Sequence, residues 1–166
     1  MNDERCPECG AFVSGGLVGC RAVWDEIAVL AYSHPTYAAT RDLAFDAYCM
    51  QHPEQYGRSA KSYAAHLTRL CCGLEHSADP AIYAAIRQWL DGVKVEIEKP
   101  PLLSERGHLT VLDVRAARTP AEHTRLVHEW AGTVWEAYRE QHALARNWIR
   151  AALAAPRKVR TKQRRP

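Results

Sequence analysis

Apolar side chains recur every three or four residues along most of this chain, and prolines mark where many of the runs begin or stop. That combination commits the chain to helices. The clearest start is Thr119-Pro120-Ala121-Glu122. A threonine there accepts bonds from the first-turn amides, a proline has no amide to satisfy, and a glutamate closes a capping box. Leu126, Val127, Trp130, Val134, Ala137 and Tyr138 follow as an apolar stripe. Leu144, Trp148, Ile149 and Leu153 extend it, either in one long helix or in two joined near residues 140–142.

The same reading applies upstream. A helix is predicted from Cys20 or Arg21, with Val23, Trp24, Ile27, Leu30 and Ala31 at helical spacing, stopping at His34-Pro35. A second covers residues 37–50, with Leu43, Ala44, Ala47 and Tyr48 facing inward, and Pro53 ends it. A third runs from Ser59 to about Glu75. Asp79-Pro80 caps a fourth. Val93, Val95 and Ile97 alternate with charged residues, which suits a strand or an extended arm. Thr110 and Asp113 stand at capping-box spacing before a short helix. The expected fold class is mainly α: five or six helices around one core over residues 1–155, with a zinc knuckle over 1–20 and a basic tail over 156–166.

The knuckle rests on Cys6-Pro7-Glu8-Cys9-Gly10. Two cysteines separated by two residues can turn both thiolates toward one ion. Phe12 and Val13 suit one short strand, and Leu17 and Val18 another, across the glycines at 15, 16 and 19. Cys20 supplies a third thiolate, and a helix start should favour its anionic form. A tetrahedral site needs a fourth ligand. His52 is preferred, because it ends a helix beside the rigid Pro53; Cys49, His34, His66 and water are the alternatives. The metal centre expected is therefore zinc on Cys6, Cys9, Cys20 and His52. Cys49, Cys71 and Cys72 read as core packing.

Asp46, His52 and His66 form a second constellation. They suit either orientation of a metal-bound histidine or general acid–base chemistry in a metal-dependent enzyme of small molecules. No zincin-type HExxH pair, phosphate-binding glycine loop or nucleophile elbow is present. The sequence assigns no reaction.

Net charge is +3, but the last ten residues, RKVRTKQRRP, contain six basic residues. The remainder holds 16 basic against 19 acidic side chains, so the body is mildly acidic. Nucleic-acid contact is thus confined to the tail, as an accessory role without interleaved aromatics. The polar start lacks a leader-like apolar stretch, and no run is long enough for a membrane span. A cytoplasmic protein with reduced cysteines is expected, acting through a protein partner.

Taken together, CPECG, Cys20 before a tryptophan-bearing helix, DAYCMQHP, His66-Leu67, LTVLDV and EWAGTVW resemble a bacterial family of unknown function across most of residues 6–148. The resemblance implies that Cys6, Cys9, Cys20, His52 and His66 occupy family positions. It supplies no reaction. Many members carry a histidine five residues before the DAY aspartate, where this chain has Arg41; that departure argues against an intact multi-histidine catalytic site.

Overall fold

The structure, a computed structural model, describes residues 3–92 and 96–156. It begins with a hairpin: β1 (Asp3–Arg5) pairs antiparallel with β2 (Phe12–Ser14), with Glu4 opposite Val13. The expected strand at Leu17 and Val18 is instead the first turn of α1 (Gly16–Ser33). Gly15, at φ +82°, reverses the chain so that the helix begins at once. The partner of β2 lies on the other side of the cysteine pair, in a charged segment without strand-like alternation.

Among the described residues, three of the six helices longer than ten residues begin at a side-chain cap. α2 (Pro35–Ala38) and α3 (Arg41–Gln51) replace the single helix expected over 37–50, because Thr40 leaves helical geometry between them. α4 (Pro53–Tyr56) follows His52 directly. Ser59 caps α5 (Ala60–Glu75), and Asp79 caps α6 (Pro80–Leu90), each accepting a backbone N–H. Thr110 and Asp113 form a capping box at the head of α7 (Val111–Arg115). Thr119 caps α8 (Pro120–Ala137), and a 3-10 turn at Arg139–Gln141 separates it from α9 (His142–Ala154). The C-terminal apolar stripe is thus two helices. Residues 96–100 have no regular structure; 93–95 of the expected strand, and 157–166 of the basic tail, lie outside the described residues.

Packing centres on α3 and α5, which lie against each other and against α8, while α9 closes over α5 and α6. The second half of α3 is buried on every side, from Asp46 to Gln51. Trp130, Tyr48, Tyr63 and Tyr138 are fully buried beside it. Burying rings of this size stabilises the fold by on the order of 4 kcal/mol each at about 25 cal/mol per Å². Their polar tips are mostly paired: Tyr138 Oη donates to the Met50 carbonyl at 2.7 Å, Tyr63 Oη to Gln141 at 2.7 Å, and Trp130 Nε1 to Gln51 at 2.9 Å. No described helix is long and apolar enough to cross a membrane.

Candidate metal centre

The hairpin loop carries the first two cysteines. Cys6 N–H donates to the Ala11 carbonyl at 2.8 Å and Gly10 N–H to the Cys6 carbonyl at 2.9 Å, closing the turn around Pro7-Glu8-Cys9. Cys20 comes from the second turn of α1. Gly19 allows that approach: a Cβ built there would stand 1.9 Å from the Ser14 carbonyl oxygen. The strand therefore lies directly on the helix, and Cys20 faces the hairpin loop.

His52 arrives from the opposite direction, at the C-terminal end of α3. Its Nδ1 donates to the Tyr48 carbonyl at 2.8 Å, one turn earlier, which leaves the Nε2 lone pair facing the sulfurs. The Tyr48 ring lies 4.0 Å from the imidazole and stacks on Trp24 at 4.6 Å, so the histidine has an aromatic wall behind it.

The four donor atoms of Cys6, Cys9, Cys20 and His52 lie within 4.8 Å of one another, and none of the cysteines is in a disulfide. Cys9 and Cys20 sulfurs are 3.6 Å apart; His52 Nε2 is 3.6 Å from Cys6 Sγ and 3.4 Å from Cys20 Sγ. A tetrahedral ion bonded at about 2.3 Å to sulfur and about 2.0 Å to nitrogen requires edges of about 3.8 and about 3.5 Å. The observed spacing fits that polyhedron, so these residues form a possible metal site.

The electrostatics fit a cation too. Contact with Cys20 and then Cys9 pulls the Cys6 thiol well below its ordinary value, whereas contact with Cys6 and Cys9, aided by burial, drives Cys20 far above it. Because α1 begins at Gly16, Cys20 lies in its second turn and not at the expected helix start. Burial opposes charge on His52, but the Cys6 and Cys9 sulfurs raise it to about 9. A cation among the sulfurs would let all three ionise together, displacing the protons that crowding holds there.

A second tie fixes the loop in place. Glu8 is 6% exposed; its carboxylate accepts the Glu54 N–H at 3.0 Å and Gln55 Nε2 at 2.9 Å, both on α4. Arg106 lies 3.6 Å from the same carboxylate and donates to the Glu8 and Gln51 carbonyls. Sequence reading missed Glu8, Arg106 and Gln51, because their partners lie far along the chain.

The other sequence candidates fall elsewhere. His34 is exposed, and Cys49 is buried with its thiol pushed up by desolvation. Asp46, His52 and His66 do not assemble as a trio: among the described residues, no hydrogen bond or ion pair joins His52 to the other two. Asp46 instead accepts from His66 Nδ1 at 2.9 Å and Arg69 Nε at 2.9 Å. Burial raises its pKa, and His66 and Arg69 pull it back. Cys71, Glu75 and His76 also bring ligand atoms together, but Glu75 is already held by Arg146 and Trp135.

A model described as a family of unknown function (DUF5946) matches residues 4–139. The chain belongs to that family. The matched span holds all four clustered residues and ends before α9. No curated protein and no solved structure matches the chain.

Proposed function

We propose that this protein holds one structural zinc ion on Cys6, Cys9, Cys20 and His52, that the ion staples the N-terminal hairpin to the helical core, and that the protein acts through a protein partner. The observation that carries the reading is the convergence of three sulfurs and one oriented imidazole nitrogen at tetrahedral spacing. Four side-chain donors fill a tetrahedron, which is the pattern of structural rather than catalytic zinc. A set of three thiolates and an imidazole favours zinc over magnesium or calcium, which take oxygen ligands. A closed centre offers substrate no coordination position, so activity is assigned to the surface that the staple shapes. A reducing, cytoplasmic setting suits the free thiols.

Elemental analysis of the purified protein tests the reading. One equivalent of zinc per chain is expected, with loss of the metal and a lower melting temperature in Cys9→Ser. Protein free of zinc, with a Cys9→Ser variant that melts like the parent, would overturn it.

A further inference from the structure

A cleft of about 800 Å³ opens between α2, α3, α5 and α6, on a face of the molecule built by none of the four clustered residues. Its polar lining is unusual in where its hydrogen bonds go. Arg69 projects from α5 and binds Asp46 through Nε, at 2.9 and 3.2 Å to the two carboxylate oxygens. Asp46 is fully buried and is held from its other side by His66. The Tyr83 ring lies beneath the guanidinium, 5.0 Å from Cζ. Arginine is thus locked in direction by an anion behind it and a ring beside it. Among the described residues its outer edge, the Nη pair, reaches only Asp42, at 4.0 Å.

Asp42 is the acidic side chain in the lining; it is 54% exposed and is shared with Arg41 at 3.5 Å. Against it stand Arg69 and two further basic residues, Arg87 and His128. Among the described residues, no hydrogen bond or ion pair engages the side chain of either of those two.

A further observation points to the same cleft. Thr40 lines it and is 3% exposed, yet among the described residues its hydroxyl has no hydrogen-bond partner. A buried hydroxyl without a partner is costly unless something satisfies it. At the rim, Ser77 and Ala78 adopt φ of +51° and +55°, consecutive left-handed conformations that side chains rarely take. There the chain leaves α5, with the Ala78 N–H donating to the Cys72 carbonyl at 3.1 Å, and this turn forms the lip of the cleft. The remaining lining is apolar, chiefly Leu43, Leu74 and Ala84.

We infer that this cleft binds a small organic anion: an oxyanion head, carboxylate or phosphate, on the outer edge of Arg69 with Arg87 and the Thr40 hydroxyl, and a short apolar body against Leu43 and Leu74. The planar guanidinium suits either head, because both present paired oxygens.

The test titrates the full-length, metal-loaded protein with benzoate and, separately, with inorganic phosphate and methyl phosphate, at constant ionic strength set by chloride. Backbone amide shifts are followed by NMR. Saturable shifts at Thr40, Ser77 and Ala78 are expected with at least one probe; benzoate alone assigns a carboxylate head, a phosphate probe alone a phosphate head. Arg87→Gln, at an exposed position, should weaken binding about fivefold and Arg69→Gln at least about tenfold, as loss of a charged hydrogen bond does. Thr40→Val should weaken binding while leaving the melting temperature unchanged or raised, which a purely structural threonine would not do. Arg125→Gln, on the outer face of α8, should bind as the parent. If Arg69→Gln does not fold, Arg87→Gln and Thr40→Val decide the matter. Linear, non-saturating shifts with every probe overturn the inference, as does equal weakening by Arg87→Gln and Arg125→Gln.

Discussion

Replacing Gln51 with methionine keeps the volume of the side chain but strips the polar atoms from a fully buried position. Gln51 Nε2 donates to the carbonyls of Arg106 at 3.0 Å and Leu109 at 2.8 Å, and Oε1 accepts from Trp130 Nε1 at 2.9 Å. One amide thus ties α3 to the segment before α7 and to the middle of α8. Methionine leaves little cavity, so the loss is almost wholly polar. Each buried group left without a partner costs about 1–3 kcal/mol. The Trp130 indole and the Arg106 carbonyl are stranded, while the part-buried Leu109 carbonyl can turn to water. A loss of about 3–5 kcal/mol follows, a large share of the roughly 5–15 kcal/mol that holds a typical domain together. Urea unfolding of the metal-loaded protein, followed by circular dichroism, measures it through the midpoint at constant m-value. In a Trp130→Phe background the same substitution should cost less, because no indole is then stranded. A loss below about 1 kcal/mol, or equal losses in both backgrounds, refutes the reasoning.

Other outcomes follow from single contacts. Gly19→Ala drives a methyl into the Ser14 carbonyl and should destabilise by about 3 kcal/mol or more, with weaker metal retention; calorimetry and metal analysis check both. After chelation, thiol reagents should reach the part-exposed Cys9 first. Cys49, Cys71 and Cys72 should react only on unfolding, since all three are buried and burial pushes Cys71 to about 12 and Cys72 to about 11. Peptide mass mapping distinguishes the two groups, and rapid native labelling of Cys49 refutes the assignment. Hydrogen bonding from Arg146 holds the Glu75 carboxyl below its ordinary value. A depressed carboxyl stabilises the fold above its unfolded pKa, and the gain disappears as pH falls through the folded one. Arg146→Met should therefore lower the urea midpoint at neutral pH, and its difference from the parent should close below the carboxylate range.

Where structure is set by neighbours in the chain, the residues announce it. Thr119, Asp79 and Thr110 cap helices as their spacing predicts, because a cap involves only the next few amides. The meeting of Cys6, Cys9 and Cys20 with His52 was also foreseeable, since a helix end locked by Pro53 is a natural place to hold a ring. The hairpin was legible in only one strand: Asp3–Arg5 pairs through its backbone, which leaves no side-chain signature. Gln51 carries no local sign of its role, because its partners Arg106, Leu109 and Trp130 all lie far along the chain. The separation of Asp46 and His66 from His52 was hidden for the same reason. Arg69 enters from another helix and turns Asp46 toward itself. Nor does sequence spacing show that Thr40 would break a helix and lose its hydrogen-bond partner.

Glu8 gives the cysteine loop a second anchorage that needs no ion. Its carboxylate bonds to α4 and lies beside Arg106, and none of these contacts uses a cysteine sulfur. If the proposed zinc were lost, these contacts would keep Cys6 and Cys9 tethered near His52. The effective local concentration of the donors would stay high, and recapture would be a small rearrangement rather than a refolding event. On that reading the loop would act as a reusable clasp, tolerant of brief metal starvation.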